Sequence, residues 1–297
     1  MTENIKGIAL MVLAMLGLAC TDTVVKLMAE HMPAPQVILL LGGATALIFS
    51  AVALVRREPL FSRTFFHPAV VGRSLSEGVA AITITFAISL VPLTTVSALM
   101  QMNPILVTLG AALFFGERVG WRRWAAVVAG LVGMLMIVRP GLQGFDPNAL
   151  IAVAAAVALS ARDLTTRAAP RAIPSLTLAA WGFSLVPLAA TAALLIGPGF
   201  SPLTSDGLFW APLGVLFTLA GYLALTAATR TGELATIAPF RYSRLLFATL
   251  IGVTFFAERP DGWTIAGSLL IIAAGLYAFL RERQLAARRA AAPPAVP

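Results

Sequence analysis

Residues 93–118 read LTTVSALMQMNPILVTLGAALFFGER, and residues 234–259 read LATIAPFRYSRLLFATLIGVTFFAER. The two stretches are 141 positions apart and are identical at eight of 26 positions, where composition alone would give about two. The same shift matches residues outside these stretches, namely Asp22 with Asp163, Lys26 with Arg167 and Pro33 with Pro174. The chain is therefore an internal duplication.

The composition predicts that most of the chain lies in lipid. Of 297 residues, 59% are hydrophobic and 11% are charged, and the mean hydropathy is +0.90. A helix needs about 20 apolar residues to cross a bilayer. Apolar runs bounded by charge, proline and glycine predict ten such helices, near 6–28, 35–55, 69–90, 94–115, 121–139, 147–167, 174–196, 208–229, 233–256 and 262–281.

The cationic residues predict how these helices are oriented. With a cytoplasmic amino terminus, fifteen Lys and Arg residues fall on the cytoplasmic side, whereas Lys26, Arg139 and Arg259 fall outside. Cytoplasmic loops retain Lys and Arg, so the bias predicts a multi-pass membrane protein with both termini cytoplasmic. Three further cations fall within predicted helices, namely Arg162, Arg241 and Arg244.

The duplication predicts an inverted architecture. Residues 1–141 and 142–285 each contain five predicted helices, and because five is odd, the second copy enters the membrane from the opposite side. Inverted repeats are typical of secondary transporters, whose substrate site lies at the repeat interface near the bilayer midplane. Residues 286–297 are rich in Ala, Pro and Arg and are expected to form a disordered cytoplasmic tail.

Other function classes fit the sequence less well. The net charge of +8 comes from short clusters between apolar runs, which favour lipid headgroups over nucleic acid as the partner. Cys20 is the only cysteine, and His31 and His67 are the only histidines, so neither a disulfide, a metal site nor a cofactor is expected. A membrane-embedded transferase is the alternative from another class, but no carboxylate pair or nucleophile triad is visible.

Two similar segments, of eight and nine residues, carry a family resemblance. FFGERVGW at 114–121 follows QMNP, and FFAERPDGW at 255–263 follows APFRYS. Over roughly residues 5–281 the chain resembles the ten-helix EamA-type exporters of the drug/metabolite transporter superfamily, and among them most resembles the bacterial YddG-type amino-acid exporters. The resemblance implies export of a small metabolite.

Repeat-related polar positions predict the substrate site. Gln101 is matched by Tyr242 and Asn103 by Arg244, with Arg241 adjacent. An arginine presents donors that suit a carboxylate or phosphate, and aromatic rings can stack on an apolar side chain; the candidates for stacking are Tyr242, Tyr222 and Trp181. Two alternatives stay open: the arginines extend to an interface or pair with Glu233, and Gln101 and Asn103 form hydrogen bonds between helices.

Charged residues four positions apart predict ion pairs along single helices. Arg73 and Glu77 form one such pair, and Glu77 is also a candidate proton carrier. Asp22 with Lys26, and Asp163 with Arg167, are interpreted as stapling or gate pairs, with ion coupling as the alternative.

The sequence thus predicts a secondary transporter that exports amino acids, aromatic ones included, or similar small metabolites by alternating access. Its partners would be the small-molecule substrate, the lipid bilayer and, if transport is coupled, a proton. The alternative within transport is a cationic drug exporter. That function needs an unpaired carboxylate in the cavity, and Arg241 and Arg244 would hinder it.

Overall fold

The computed structural model describes residues 2–60, 62–116, 120–142, 144–170, 172–197, 199–231 and 237–291. These residues form eleven α-helices and two short 3₁₀-helices, and they contain no β-strand. The helices of the first half are α1 Thr2–Ala29, α2 Ala34–Val55, α3 Pro68–Leu90, α4 Leu93–Met100, α5 Asn103–Phe114 and α6 Trp121–Val138. Those of the second half are α7 Ala149–Ala168, α8 Ser175–Ile196, α9 Ser205–Arg230, α10 Ser243–Phe255 and α11 Gly262–Ala291.

Local sequence signals set several of these boundaries. The side chain of His67 accepts a hydrogen bond from the N–H of Ala69 at 3.3 Å, which caps the start of α3. Thr204 caps α9 in the same way, through the N–H of Gly207 at 3.2 Å. At the end of α6, Arg139 adopts the left-handed region at φ +52°, which stops the helix.

Nine segments of the described chain are long and apolar enough to cross a membrane, with α4 and α5 together making the segment Leu93–Phe114. They correspond to nine of the ten predicted helices. The other prediction, 233–256, lies partly outside the described residues. Within it the structure contains a 3₁₀-helix, Ala238–Tyr242, followed by α10.

The carboxyl-terminal helix is longer than predicted. α11 continues to Ala291, so residues 286–291 are helical where a disordered tail was expected. Their sequence, AARRAA, consists of two strong helix formers, which explains the extension. Residues 292–297 lie outside the described part of the chain.

The most extensive helix contacts join the two halves of the chain. α1 packs on α9, α3 on α7, α2 on α8, and α6 on α11. A shift of 141 residues converts the α1–α9 pair into the α7–α3 pair and maps each of the other two pairs onto itself. Each half therefore buries its helices mainly against the other half.

The contact between α6 and α11 is a close approach of two backbones. A Cβ atom on Gly267 would lie 2.6 Å from the carbonyl oxygen of Gly133, and one on Gly133 would lie 2.8 Å from that of Gly267. Small residues permit this approach, as they do in many membrane helix pairs. The geometry assigns α6 and α11 a scaffold role.

Candidate substrate site

The segment Leu93–Phe114 is interrupted in its middle. The N–H groups of Gln101 and Met102 donate to the carbonyls of Ala98 and Leu99 at 3.2 and 3.0 Å, which are the tighter bonds of a 3₁₀ turn. Pro104 follows and has no N–H to donate, so the regular ladder cannot continue through it. The helix is therefore interrupted at Gln101 and Met102, just before Pro104.

The second half contains a matching interruption. Pro239 lies in the 3₁₀-helix Ala238–Tyr242, which leads into α10. Its last residue, Tyr242, is the repeat equivalent of Gln101. Non-helical backbone at membrane depth is tolerated where it lines a cavity or is buried in protein. A substrate site is therefore expected at the two interruptions.

A cavity of about 410 Å³ lies at these interruptions, within the size range of small-molecule sites. Four elements line it: α5, the 3₁₀-helix, α7 and α11. The lining residues are Asn103, Pro104, Ile105, Val107, Thr108, Asp163, Pro239, Arg241, Tyr242, Gly275, Ala278 and Phe279. Three of the predicted substrate residues, Asn103, Arg241 and Tyr242, are among them, as is the gate candidate Asp163.

Arg241 is the cation of this cavity. Within the described residues, no carboxylate lies within 4.0 Å of its guanidinium. Tyr242 beside it has a buried hydroxyl that finds no hydrogen-bond partner in the same part of the chain. Both residues line the cavity, and the Tyr242 hydroxyl itself is packed against Gly275.

Asp163 is the carboxylate of the cavity and is already well paired. Its Oδ2 accepts a hydrogen bond from Asn103 Nδ2 at 2.8 Å. Its Oδ1 accepts from Arg162, at 3.0 Å from Nε and 2.7 Å from Nη2. Ser160 donates to Asn103 Oδ1 at 2.8 Å and so fixes the orientation of the amide. Asp163 therefore does not pair with Arg167 as the spacing predicted.

Arg162 is the residue that the predictions left out of the site. Its Nη1 lies 3.3 Å from Glu77 Oε1, so one guanidinium bridges Glu77 on α3 and Asp163 on α7. The predicted pair of Arg73 and Glu77 is present at 3.4 Å, and Arg73 also donates to the carbonyl of Leu178 at 2.7 Å. One feature of the sequence could have identified Arg162 as a site residue: it is one of three cations inside predicted helices.

Several candidates lie away from the cavity. Trp181 donates its indole N–H to the carbonyl of Leu60 at 2.8 Å and packs on Phe65, which makes it a structural anchor. Tyr222 packs between Phe49 and Phe183. Gln101 is buried, and its Nε2 has no hydrogen-bond partner among the described residues. Glu77 is next to the cavity network but is not part of the lining.

Arg244 and Asp22 form an ion pair between the two halves. Arg244 donates to Asp22 Oδ2 from Nε at 3.2 Å and from Nη2 at 2.7 Å. The predicted pairing of Asp22 with Lys26 is therefore wrong, because α10 brings a better donor to the carboxylate. Lys26 instead pairs with Glu258 at 2.6 Å, and Arg167 lies over the ring of Phe115 at 5.9 Å.

The contacts between the halves follow the 141-residue register. Asp22–Arg244 is equivalent to Asp163–Asn103, and the hydrogen bond Thr21–Thr218 at 3.3 Å is equivalent to Arg162–Glu77. Lys26 over Phe256 at 4.9 Å is equivalent to Arg167 over Phe115. The duplication thus extends from sequence to side-chain contacts, and at the Arg162–Glu77 position one half carries charge where the other carries threonine.

The turn after α10 positions Glu258. Ala257 has a φ of +50°, and its repeat equivalent Gly116 has a φ of +62°. The N–H of Glu258 donates to the carbonyl of Gly252 at 2.9 Å and so satisfies a carbonyl of the last turn of α10. The backbone around Glu258 therefore forms a turn that ends α10.

The Glu258 side chain leaves this turn and reaches the first half of the chain. Its Oε1 accepts from Lys26 Nζ and from the N–H of Leu93, both at 2.6 Å, and its Oε2 accepts from the N–H of Thr94 at 3.0 Å. Leu93 and Thr94 begin α4, where a helix leaves N–H groups unpaired. Burial raises the pKa of Glu258, but these hydrogen bonds outweigh it, and the pKa is lowered from its ordinary value.

This lowered pKa predicts how stability depends on pH. A carboxyl group with a depressed folded-state pKa stabilises the protein above its unfolded pKa of about 4.3 and loses that effect as the pH falls through the folded value. We expect Glu258→Gln to lower the thermal midpoint by the same amount from pH 8 to pH 5.5, and by less below pH 4. Thermal scans of both proteins across this range measure the difference. A difference that disappears between pH 7 and pH 5.5 would contradict the assignment.

Comparison with known proteins places this architecture in a family. The sequence profile of the EamA-like transporter family matches residues 5–139 and again residues 147–280. A crystal structure of another protein superposes on the chain with a TM-score of 0.59 at 22% identity, covering 96% of this chain and 98% of that one. That similarity shows a common fold.

Bacterial transporters are among the relatives. A riboflavin transporter of Rhizobium johnstonii is 32% identical, over 65% of this chain and 63% of that protein, which is less than two thirds of its length. An S-adenosylmethionine uptake transporter of Rickettsia bellii is 27% identical, over 69% and 70%. A pseudopaline exporter of Pseudomonas aeruginosa is 28% identical, over 90% and 94%. The chain is a multi-pass membrane protein and belongs to the EamA-like transporter family.

Proposed function

We propose that the chain is a secondary transporter that exports amino acids, aromatic ones included, or similar small metabolites that bear a carboxylate. In this proposal ten membrane helices form two inverted five-helix halves, residues 1–141 and 142–285, which alternate access to the cavity between them. The protein resides in the bacterial inner membrane with both termini in the cytoplasm. The bias of Lys and Arg between alternate loops supports this orientation.

One observation carries the substrate class: Arg241 lines the cavity with Asp163, whose charge attracts it, but no carboxylate of the described residues lies within 4.0 Å of its guanidinium. A guanidinium is costly to hold at membrane depth without a partner. A substrate carboxylate would supply that partner through two parallel hydrogen bonds. The relatives named above carry substrates as different as riboflavin and S-adenosylmethionine, so the cavity and not the family has to indicate the substrate.

The other lining residues fit the remainder of an amino acid. Asp163 lies on the same cavity and can attract an ammonium group while keeping its bonds to Arg162 and Asn103. Tyr242 presents a ring that suits an apolar or aromatic side chain. Together these residues favour a zwitterion over a purely anionic or purely cationic molecule.

The same network argues against the cationic drug exporter. Asp163 is the carboxylate of the cavity lining, and Arg162 and Asn103 already satisfy its oxygens. The lining holds one cation, Arg241, beside this one carboxylate. A lipophilic cation with no carboxylate of its own would leave Arg241 without a partner there.

Flux into liposomes that contain the purified protein tests the proposal. The panel comprises aromatic, aliphatic and acidic amino acids, their amides, and a basic dye, each measured with and without a pH gradient. We expect flux of at least one amino acid and little flux of its amide or of the dye. A pH gradient that drives accumulation would identify the proton as the coupling ion. Dye flux without amino-acid flux would refute the proposal.

A further inference from the structure

The contacts of Glu258 join the two halves of the chain at one face of the membrane. Glu258 follows α10 in the second half, whereas Lys26, Leu93 and Thr94 belong to the first half. We infer that Glu258 is a latch: its hydrogen bonds to Lys26 Nζ and to the first N–H groups of α4 hold this face of the transporter closed, and they break when the face opens. This inference rests on the proposed alternating access.

The position of α4 connects the latch to the substrate site. α4 begins at Leu93, and the cavity residue Asn103 follows ten residues later, about 15 Å along the helix axis. The interruption at Gln101 and Met102 lies between them. A break there allows α4 to move as a unit when its first turn loses the carboxylate, while α5 keeps its contacts at the cavity.

Burial strengthens the hydrogen bonds of the latch. The Glu258 side chain is 7% exposed and that of Lys26 is 18% exposed, so water competes little for these bonds. Lys26 also lies over the ring of Phe256, from the second half, at 4.9 Å. Charge-assisted bonds to helix N–H groups are among the stronger hydrogen bonds of proteins, so this face is expected to stay closed until they are replaced by water.

Cysteine accessibility in oriented membrane vesicles tests the latch. Cys20→Ser removes the only native cysteine, and Thr108→Cys places a probe in the cavity lining. A membrane-impermeant thiol reagent is then applied from each side. We expect Glu258→Gln to raise labelling from the face of residue 258 by about tenfold, the ratio that corresponds to about 1.4 kcal/mol.

Two matched controls separate the latch from general loosening. Asp261 lies in the same loop and pairs with Arg139 across the scaffold helices, so Asp261→Asn should leave labelling unchanged. Gly252→Ala tests the geometry without changing charge, because a Cβ there would lie 2.6 Å from Glu258 Oε2. We expect it to act like Glu258→Gln, whereas Gly262→Ala, where a Cβ meets nothing within 4 Å, should have no effect.

The labelling experiment tests the latch, and the flux experiment tests the proposed substrate, so the two can fail separately. Labelling that Glu258→Gln leaves unchanged, or raises equally from both faces, would overturn the latch. If labelling shifts as expected but no amino acid is transported, the latch stands and the proposed substrate fails. If amino acids are transported and labelling does not shift, the proposed function stands and the latch fails.

Discussion

Replacing Arg241 with glutamine is expected to lower the flux of carboxylate-bearing substrates at least tenfold. Arg241 lines the cavity, and no carboxylate of the described residues lies within 4.0 Å of its guanidinium. Hydrogen bonds to charged groups contribute about 1.5 to 3 kcal/mol, and a neutral amide keeps only part of that. The measurement is initial flux in liposomes at equal protein content, with the amino acid and its amide compared side by side.

The comparison between acid and amide is the informative part of this experiment. If Arg241 binds the substrate carboxylate, Arg241→Gln should reduce the preference for the acid and leave the slow flux of the amide nearly unchanged. Arg241→Lys keeps the charge but loses the planar fork of donors and should give an intermediate flux. Arg281→Gln is the matched control, since Arg281 is absent from the cavity lining and bonds Gln284. Equal losses for acid and amide would show that Arg241 does not select the carboxylate.

The sequence could predict much of the fold because its strongest signals are periodic. Apolar runs of about 20 residues and the 141-residue repeat identified nine segments that the structure presents as possible membrane helices. The repeat also led to Asn103 and Tyr242, since polar residues at equivalent positions stood out in apolar surroundings. Both line the cavity.

The sequence could not predict which charges pair. A spacing of four residues predicts ion pairs only between side chains of the same helix. On that basis Asp22 was paired with Lys26. The structure instead joins Asp22 with Arg244 and Lys26 with Glu258, more than 200 positions away. Such pairs depend on how the two halves pack against each other. The spacing of residues along one helix contains no information about that packing. The same limit explains why Trp181 was expected at the substrate.

Arg162 shows the limit most clearly, and replacing it is expected to cost the most stability. Its guanidinium bridges Glu77 and Asp163, so Arg162→Met would leave two carboxylates at membrane depth without their shared cation. Breaking a buried ion pair by removing one partner costs about 3 to 5 kcal/mol. We expect a large fall in the thermal midpoint of the detergent-solubilised protein, followed by intrinsic tryptophan fluorescence.

The repeat provides the control for this prediction. The equivalent contact in the other half is the neutral hydrogen bond between Thr21 and Thr218, so Thr21→Val removes one partner without leaving a charge and should cost only about 1 kcal/mol. Adding Asp163→Asn to Arg162→Met removes the carboxylate that loses its ion-pair partner, whereas Glu77 keeps Arg73 at 3.4 Å, so the double variant should recover much of the stability. If the double variant is as unstable as Arg162→Met alone, the loss arises from packing around the arginine stem and not from unpaired charge. If it is stable but no longer transports amino acids, the ion pair of Arg162 and Asp163 is needed during transport, and the charge that one half carries where the other has threonine serves the substrate and not the fold.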